Sequence, residues 1–67
     1  MKTVLRISNL NTNEDVISIK EVIAHSEGTI ACEVNVNKKE VSIVYDDKTI
    51  SLDRIISSIE ELGYSVI

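Results

Sequence analysis

The chain has 67 residues, 43% of them apolar, and its eleven acidic side chains outnumber seven basic ones to give a net charge of −4. An acidic surface repels phosphate backbones, and two tyrosines with no Phe or Trp cannot furnish a base-stacking sheet, so no nucleic-acid partner is expected. One His, one Cys and two glycines leave no internal disulfide, no multi-cysteine zinc site and no glycine-rich phosphate loop, and the expectation is a chain that is not an enzyme and carries no cofactor.

The size suits one small domain over residues 1–67, near the lower limit for a single hydrophobic core. No apolar run approaches the roughly 18–20 residues of a membrane span. Neither a signal segment nor membrane insertion is therefore expected. A single free cysteine fits a reducing compartment, and a cytoplasmic location follows as an expectation.

Thr3–Ile7 alternates, with Leu5 and Ile7 on one face and Val4 and Arg6 on the other, as a half-buried strand does. Glu14–Gly28 brings Val16, Ile19, Val22 and Ile23 together at helical spacing, with Gly28 as the stop. Thr29–Val36 alternates again and places Ile30, Cys32, Val34 and Val36 on one side. Asn37–Lys39 reads as a turn, followed by a strand with Val41, Ile43 and Tyr45 inward, so an antiparallel hairpin is expected. Ser51 is a good N-cap for a second helix, whose stripe is Leu52, Ile55, Ile56, Ile59 and Leu62, with Gly63 at C′. Tyr64–Ile67 reads as a short final strand.

The order is β-α-β-β-α-β. Each helix has one apolar stripe, so both lie on the same face of the sheet. The predicted fold is α+β, a ferredoxin-like two-layer sandwich with a four-stranded antiparallel sheet. The open face then carries Val4, Arg6, Glu33, Asn35, Ser42 and Val44 and is mostly polar.

The first strand leading to "SNL", the helix phrase "VISIKEVIAHSEG", "CEVNV" after Gly28, and "VSIVYDDKTISLDRIISSIEELGY" together resemble the heavy-metal-associated domain family. That family includes copper chaperones, mercury-binding proteins and the N-terminal domains of metal-transporting P-type ATPases. Its metal motif is Gly-Met-x-Cys-x-x-Cys after the first strand. Laid on this chain, Asn9 takes the glycine place, Leu10 the methionine place, and Thr12 and Asp15 the two cysteine places. The resemblance implies the fold and a setting in copper-type metal transport, with the CxxC motif lost. Cu(I) is a soft ion suited to thiolates, whereas a threonine hydroxyl stays protonated and an aspartate carboxylate is a hard ligand. A degenerate site is the expectation.

Thr12 followed three residues later by Asp15 has the form of a capping box with Asp in place of Glu, and Glu14 adds a second negative charge to the first turn. The alternative is that Thr12, Glu14 and Asp15, alone or with His25 or Cys32 shared between chains, hold a divalent ion. His25 falls near the far end of the first helix, roughly 15 Å from Asp15 at 1.5 Å per residue, where solvation is ordinary. Cys32 falls on the inward side of its strand as a small hydrophobe.

Leu10 and Tyr64 border the motif loop in the family. Either Leu10 covers the core edge while Tyr64 packs beneath the loop with its hydroxyl in water, or the two form a small apolar patch that docks another protein domain, such as that of a metal-transporting ATPase. Asp46-Asp47 and Glu60-Glu61 are solvated pairs that could steer a basic partner. The polar open face argues against a large dimer interface, and a monomer is expected.

Overall fold

The computed structural model describes residues 1–67. Its elements are β1 (Lys2–Arg6), α1 (Asn13–Ala24), β2 (Thr29–Asn35), β3 (Glu40–Tyr45) and α2 (Leu52–Glu61). The three strands form one antiparallel sheet in the order β1-β3-β2. Leu5 pairs with Val41 and Thr3 with Ile43 on one side of β3, while Cys32 pairs with Ile43 and Val34 with Val41 on the other.

Side-chain alternation therefore collects Leu5, Val41, Ile43 and Tyr45 on one sheet face, where they share a core with Ile7, Leu10, Ile19, Ile23, Ile55 and Ile59. Ile19 and Ile23 come from α1, and Ile55 and Ile59 from α2. Both helices thus cover the same face. No polar or charged residue is buried in the core. Each fully buried isoleucine contributes about 1.5–3 kcal/mol of transfer free energy.

Four expectations about the elements are corrected. The sheet has three strands rather than four. The C-terminal stretch meets the end of β1 at a single antiparallel bridge, Ile7 to Val66, flanked by bonds from Ser8 N–H to Ser65 O (3.0 Å) and from Ile67 N–H to Arg6 O (2.9 Å). The ladder goes no further because the Ser65 N–H donates to the Asn9 side chain at 2.9 Å instead.

The apolar alternation of β2 is interrupted by a register shift between Thr29 and Ala31. The extra residue, Ile30, is left 70% exposed, as the unpaired residue of a bulge is. Finally, α1 ends at Ala24 with His25 as its C-cap, so Gly28 is no helix stop. It lies at φ +96° in the turn before β2, where an added Cβ would come within 2.9 Å of Ile50 Cγ2.

In α2, Ser51 accepts from Arg54 N–H as the N-cap and Leu62 is the C-cap. Gly63 follows at φ +98°, the left-handed C′ position that glycine occupies without steric cost. Leu62, expected in the apolar stripe, is 44% exposed, because the chain has already turned away from the core at the cap.

Candidate functional site

The loop from Ser8 to Thr12, between β1 and α1, is built from both ends. Leu10 enters the core and is fully buried, which fixes the loop's depth. Thr12 has extended backbone angles as the N-cap of α1, and its Oγ1 accepts from Asp15 N–H at 3.2 Å. Asp15 Oδ2 in turn accepts from Thr12 N–H and Asn11 N–H, both at 3.0 Å. The reciprocal capping box expected from the sequence is present.

The same carboxylate reaches across the fold. Tyr64 donates its hydroxyl to Asp15 Oδ1 at 2.6 Å, which corrects the expectation of a hydroxyl left in water. Asp15 thereby accepts three hydrogen bonds on its two oxygens, against roughly four lone-pair sites. The Tyr64 hydroxyl first, then the Asn11 and Thr12 amides, hold its pKa at about 2, below the usual 3.8. Donating to that carboxylate pushes the Tyr64 phenol up from its ordinary value.

Two more side chains close the loop. Asn9 donates Nδ2–H to Gly63 O at 3.1 Å and accepts the Ser65 N–H, so one amide spans the gap to the segment after α2. From the other side, Lys39 lies at φ +56° in the β2–β3 turn. Its carbonyl accepts from Ile7 N–H at 2.8 Å, and its ammonium donates to Ser8 O (3.2 Å) and Asn11 Oδ1 (3.1 Å). A left-handed lysine costs on the order of 1–2 kcal/mol, and these three contacts offset it.

The remaining candidates lie apart from the loop. Glu14 is exposed in the first turn of α1. His25 sits at the opposite end of that helix, its Nδ1 2.7 Å from Glu21 O. Cys32 is half-buried on the edge strand β2, where burial pushes its thiol up while the Lys20 ammonium pulls the other way. No three His, Cys, Asp or Glu side chains converge on a common point. Leu10, expected to face a partner, has no exposed surface at all, and that assignment is withdrawn; Tyr64 remains half-exposed.

No family model matches the chain. It is 23% identical over 64 residues to the copper chaperone CopZ of Staphylococcus aureus (strain bovine RF122 / ET3-1), covering 96% of this chain and 94% of that one. A solved CopZ metallochaperone superposes with a TM-score of 0.96 over 100% of both chains at 21% identity. A copper binding domain from HMA7, a P-type ATPase, does so with a TM-score of 0.90 at 15% identity, over 98% of this chain and 92% of that one. The chain therefore has the heavy-metal-associated fold and resembles that family along its whole length.

Against the heavy-metal-associated pattern, the loop's substitutions form one connected set. Asn9, Thr12 and Asp15 stand in the glycine and cysteine places, and each makes hydrogen bonds that those residues could not make in the same form. The donor set does not fit a soft metal ion. It offers no thiolate, its carboxylate already accepts three bonds from N–H and O–H donors, and an ammonium lies against the loop. A helix N-terminus adds further positive potential.

Proposed function

We propose that this chain is a non-catalytic, heavy-metal-associated-like domain of copper-type metal homeostasis whose loop is closed by hydrogen bonds in place of metal ligation. Its work would be done through contact with another protein domain, such as that of a metal-transporting ATPase, in the cytoplasm. The setting is supported by copper chaperone relatives along the whole chain and by structural likeness to a copper binding domain of a P-type ATPase.

One observation carries the reading: the Asp15 carboxylate, in the second cysteine place, is already bonded to Asn11, Thr12 and Tyr64. An ion held by both of its oxygens would compete with these bonds, among them the Tyr64 bond that crosses the fold. A partner meeting this end of the molecule would touch the half-exposed Tyr64 together with the exposed Asn11 and Lys39, a polar rim in place of the apolar patch expected from Leu10.

The alternative, in which Thr12, Glu14 and Asp15 hold a divalent ion, sets that ion in competition with Tyr64 and the two amides for the carboxylate. Chemical-shift mapping with Zn²⁺, Ca²⁺ and Cu(I) separates the two readings. The proposal expects no saturable, residue-specific change at Thr12–Asp15 at micromolar metal. Saturable shifts there, with loss of the Tyr64 hydroxyl bond, would establish the alternative.

A further inference from the structure

Three depressions open on the surface, of about 320, 280 and 190 Å³. The largest lies where the second half of α1 meets β2, the outer strand of the sheet. Lys20 and Ala24 of α1 form one wall, and Thr29, Ile30, Ala31 and Cys32 of β2 the other. The gap has local causes. Ala24 and Ala31 are short side chains, the bulge displaces Ile30 to the surface, and no strand lies beyond β2 to close the side.

Four of the six lining residues are apolar, and the volume falls at the lower end of the roughly 300–1,000 Å³ of small-molecule sites. Two polar groups among them have no partner. The structure's only ion pair joins Arg6 to Glu40, which leaves the Lys20 ammonium uncompensated. That charge lies near enough to the strand to draw the Cys32 thiol down, against the burial that pushes it up. Thr29 Oγ1 is buried without a hydrogen-bond partner, the one side-chain oxygen or nitrogen in the structure so placed. An unmet buried hydroxyl is costly, and a ligand acceptor beside it removes the cost.

We propose that this cavity binds a short aliphatic carboxylate, its oxygens on Lys20 and Thr29 and its tail against Ala24, Ile30 and Cys32. Lys20 sets the sign of the ligand. Glu21 and Glu33, the acidic residues nearest in sequence, are not among the walls. The apolar walls set its body, because a tail of a few methylenes gains from burial there and a wholly polar anion does not.

The 280 Å³ depression makes the contrast. Arg54 lines it, but Glu27 shares it and Ile50 is its one apolar wall, so it selects neither an anion nor a tail. The proposal does not rest on the docking reading, because the cavity lies along α1 away from the Thr12–Asp15 loop.

An amide chemical-shift titration of the whole chain with sodium hexanoate, up to about 20 mM at constant ionic strength, tests it. The expected result is saturable shifts at Lys20, Ala24 and Thr29–Cys32, with a dissociation constant on the order of 1 mM. Butyrate, two methylenes shorter, binds about tenfold more weakly. Hexan-1-ol is also about tenfold weaker, for want of charge, and hexylammonium gives no saturable shift. Lys20→Met keeps an apolar stem and weakens hexanoate about tenfold while leaving hexan-1-ol unchanged. Thr29→Val removes the orphaned hydroxyl and weakens hexanoate about threefold. No saturable shift at these residues by 20 mM hexanoate overturns the proposal. So does binding indifferent to the ligand's charge, to Lys20→Met or to Thr29→Val.

Discussion

The two helices of this domain start in comparable ways and are held very differently. Each has a hydroxyl N-cap accepting from the N3 amide, Thr12 from Asp15 at 3.2 Å and Ser51 from Arg54 at 3.3 Å. At α2 the cap ends there, because Arg54 has no acceptor to return. At α1 the N3 residue is a carboxylate that bonds back to Asn11 and Thr12 and across to Tyr64, while Asn9 and Lys39 tie the preceding loop to two other segments. A cap alone does not need these extra bonds. They occur where the family resemblance implies metal ligands, and in the proposed reading they stand in place of ligation.

The largest expected effect comes from putting sulfur back. Thr12→Cys/Asp15→Cys should raise Cu(I) affinity by roughly a thousandfold or more, since two thiolates at this spacing suit a soft ion. The same variant should melt lower without metal, because it loses the capping box and the Tyr64 bond. Equivalent cysteines at Ser51 and Arg54 should gain far less, as the loop before that turn is anchored only by the half-buried Ile50.

Next in size is the apolar anchor that precedes each cap. Leu10 is fully buried and Ile50 only half-buried. Leu10→Ala should cost about 2–5 kcal/mol, read by urea unfolding, and Ile50→Ala clearly less. Equal losses would remove the claim that the first loop is the more deeply anchored one.

Cap removal should be smaller again. Thr12→Ala should cost about 1–2 kcal/mol and Ser51→Ala about 0.5–1, because the first substitution also loosens Asp15. Thermal unfolding of the two single variants checks the order.

The smallest effect is a pH dependence confined to α1. The pKa of Asp15 is lowered to about 2 from 3.8 in the folded chain. Its contribution to stability is therefore complete above about pH 4 and is lost as pH falls towards 2. Tyr64 is shifted the other way, upwards from 10.0, so its contribution is present below pH 10 and declines above it. Tyr64→Phe should flatten both limbs relative to wild type, whereas Ser51→Ala should leave both in place. The carboxylate is screened by water, which keeps these changes modest.

Much of this arrangement was legible because it is local. The box of Thr12 and Asp15 spans three residues, and the stripes of α1 and α2 repeat within one or two turns. What escaped depends on segments far apart in sequence. Tyr64 and Asp15 are separated by 49 positions, and nothing near Tyr64 announces an acceptor. Asn9 stood in a glycine place, a sign that the backbone there no longer needed glycine, yet only the fold shows that its amide takes the Ser65 N–H and ends the last strand after one bridge. Ile30 satisfied the alternation of β2 and was still displaced, since a bulge shifts register without altering the apolar pattern.

The most direct test of the closed-loop account is a Cu(I) titration of the reduced wild-type chain against a competing chelator, run beside Thr12→Cys/Asp15→Cys. The account predicts that the chelator keeps its copper in the presence of the wild-type chain and yields it to the double variant. Stoichiometric extraction by the wild-type chain, with a dissociation constant on the order of 1 nM or below, would contradict it.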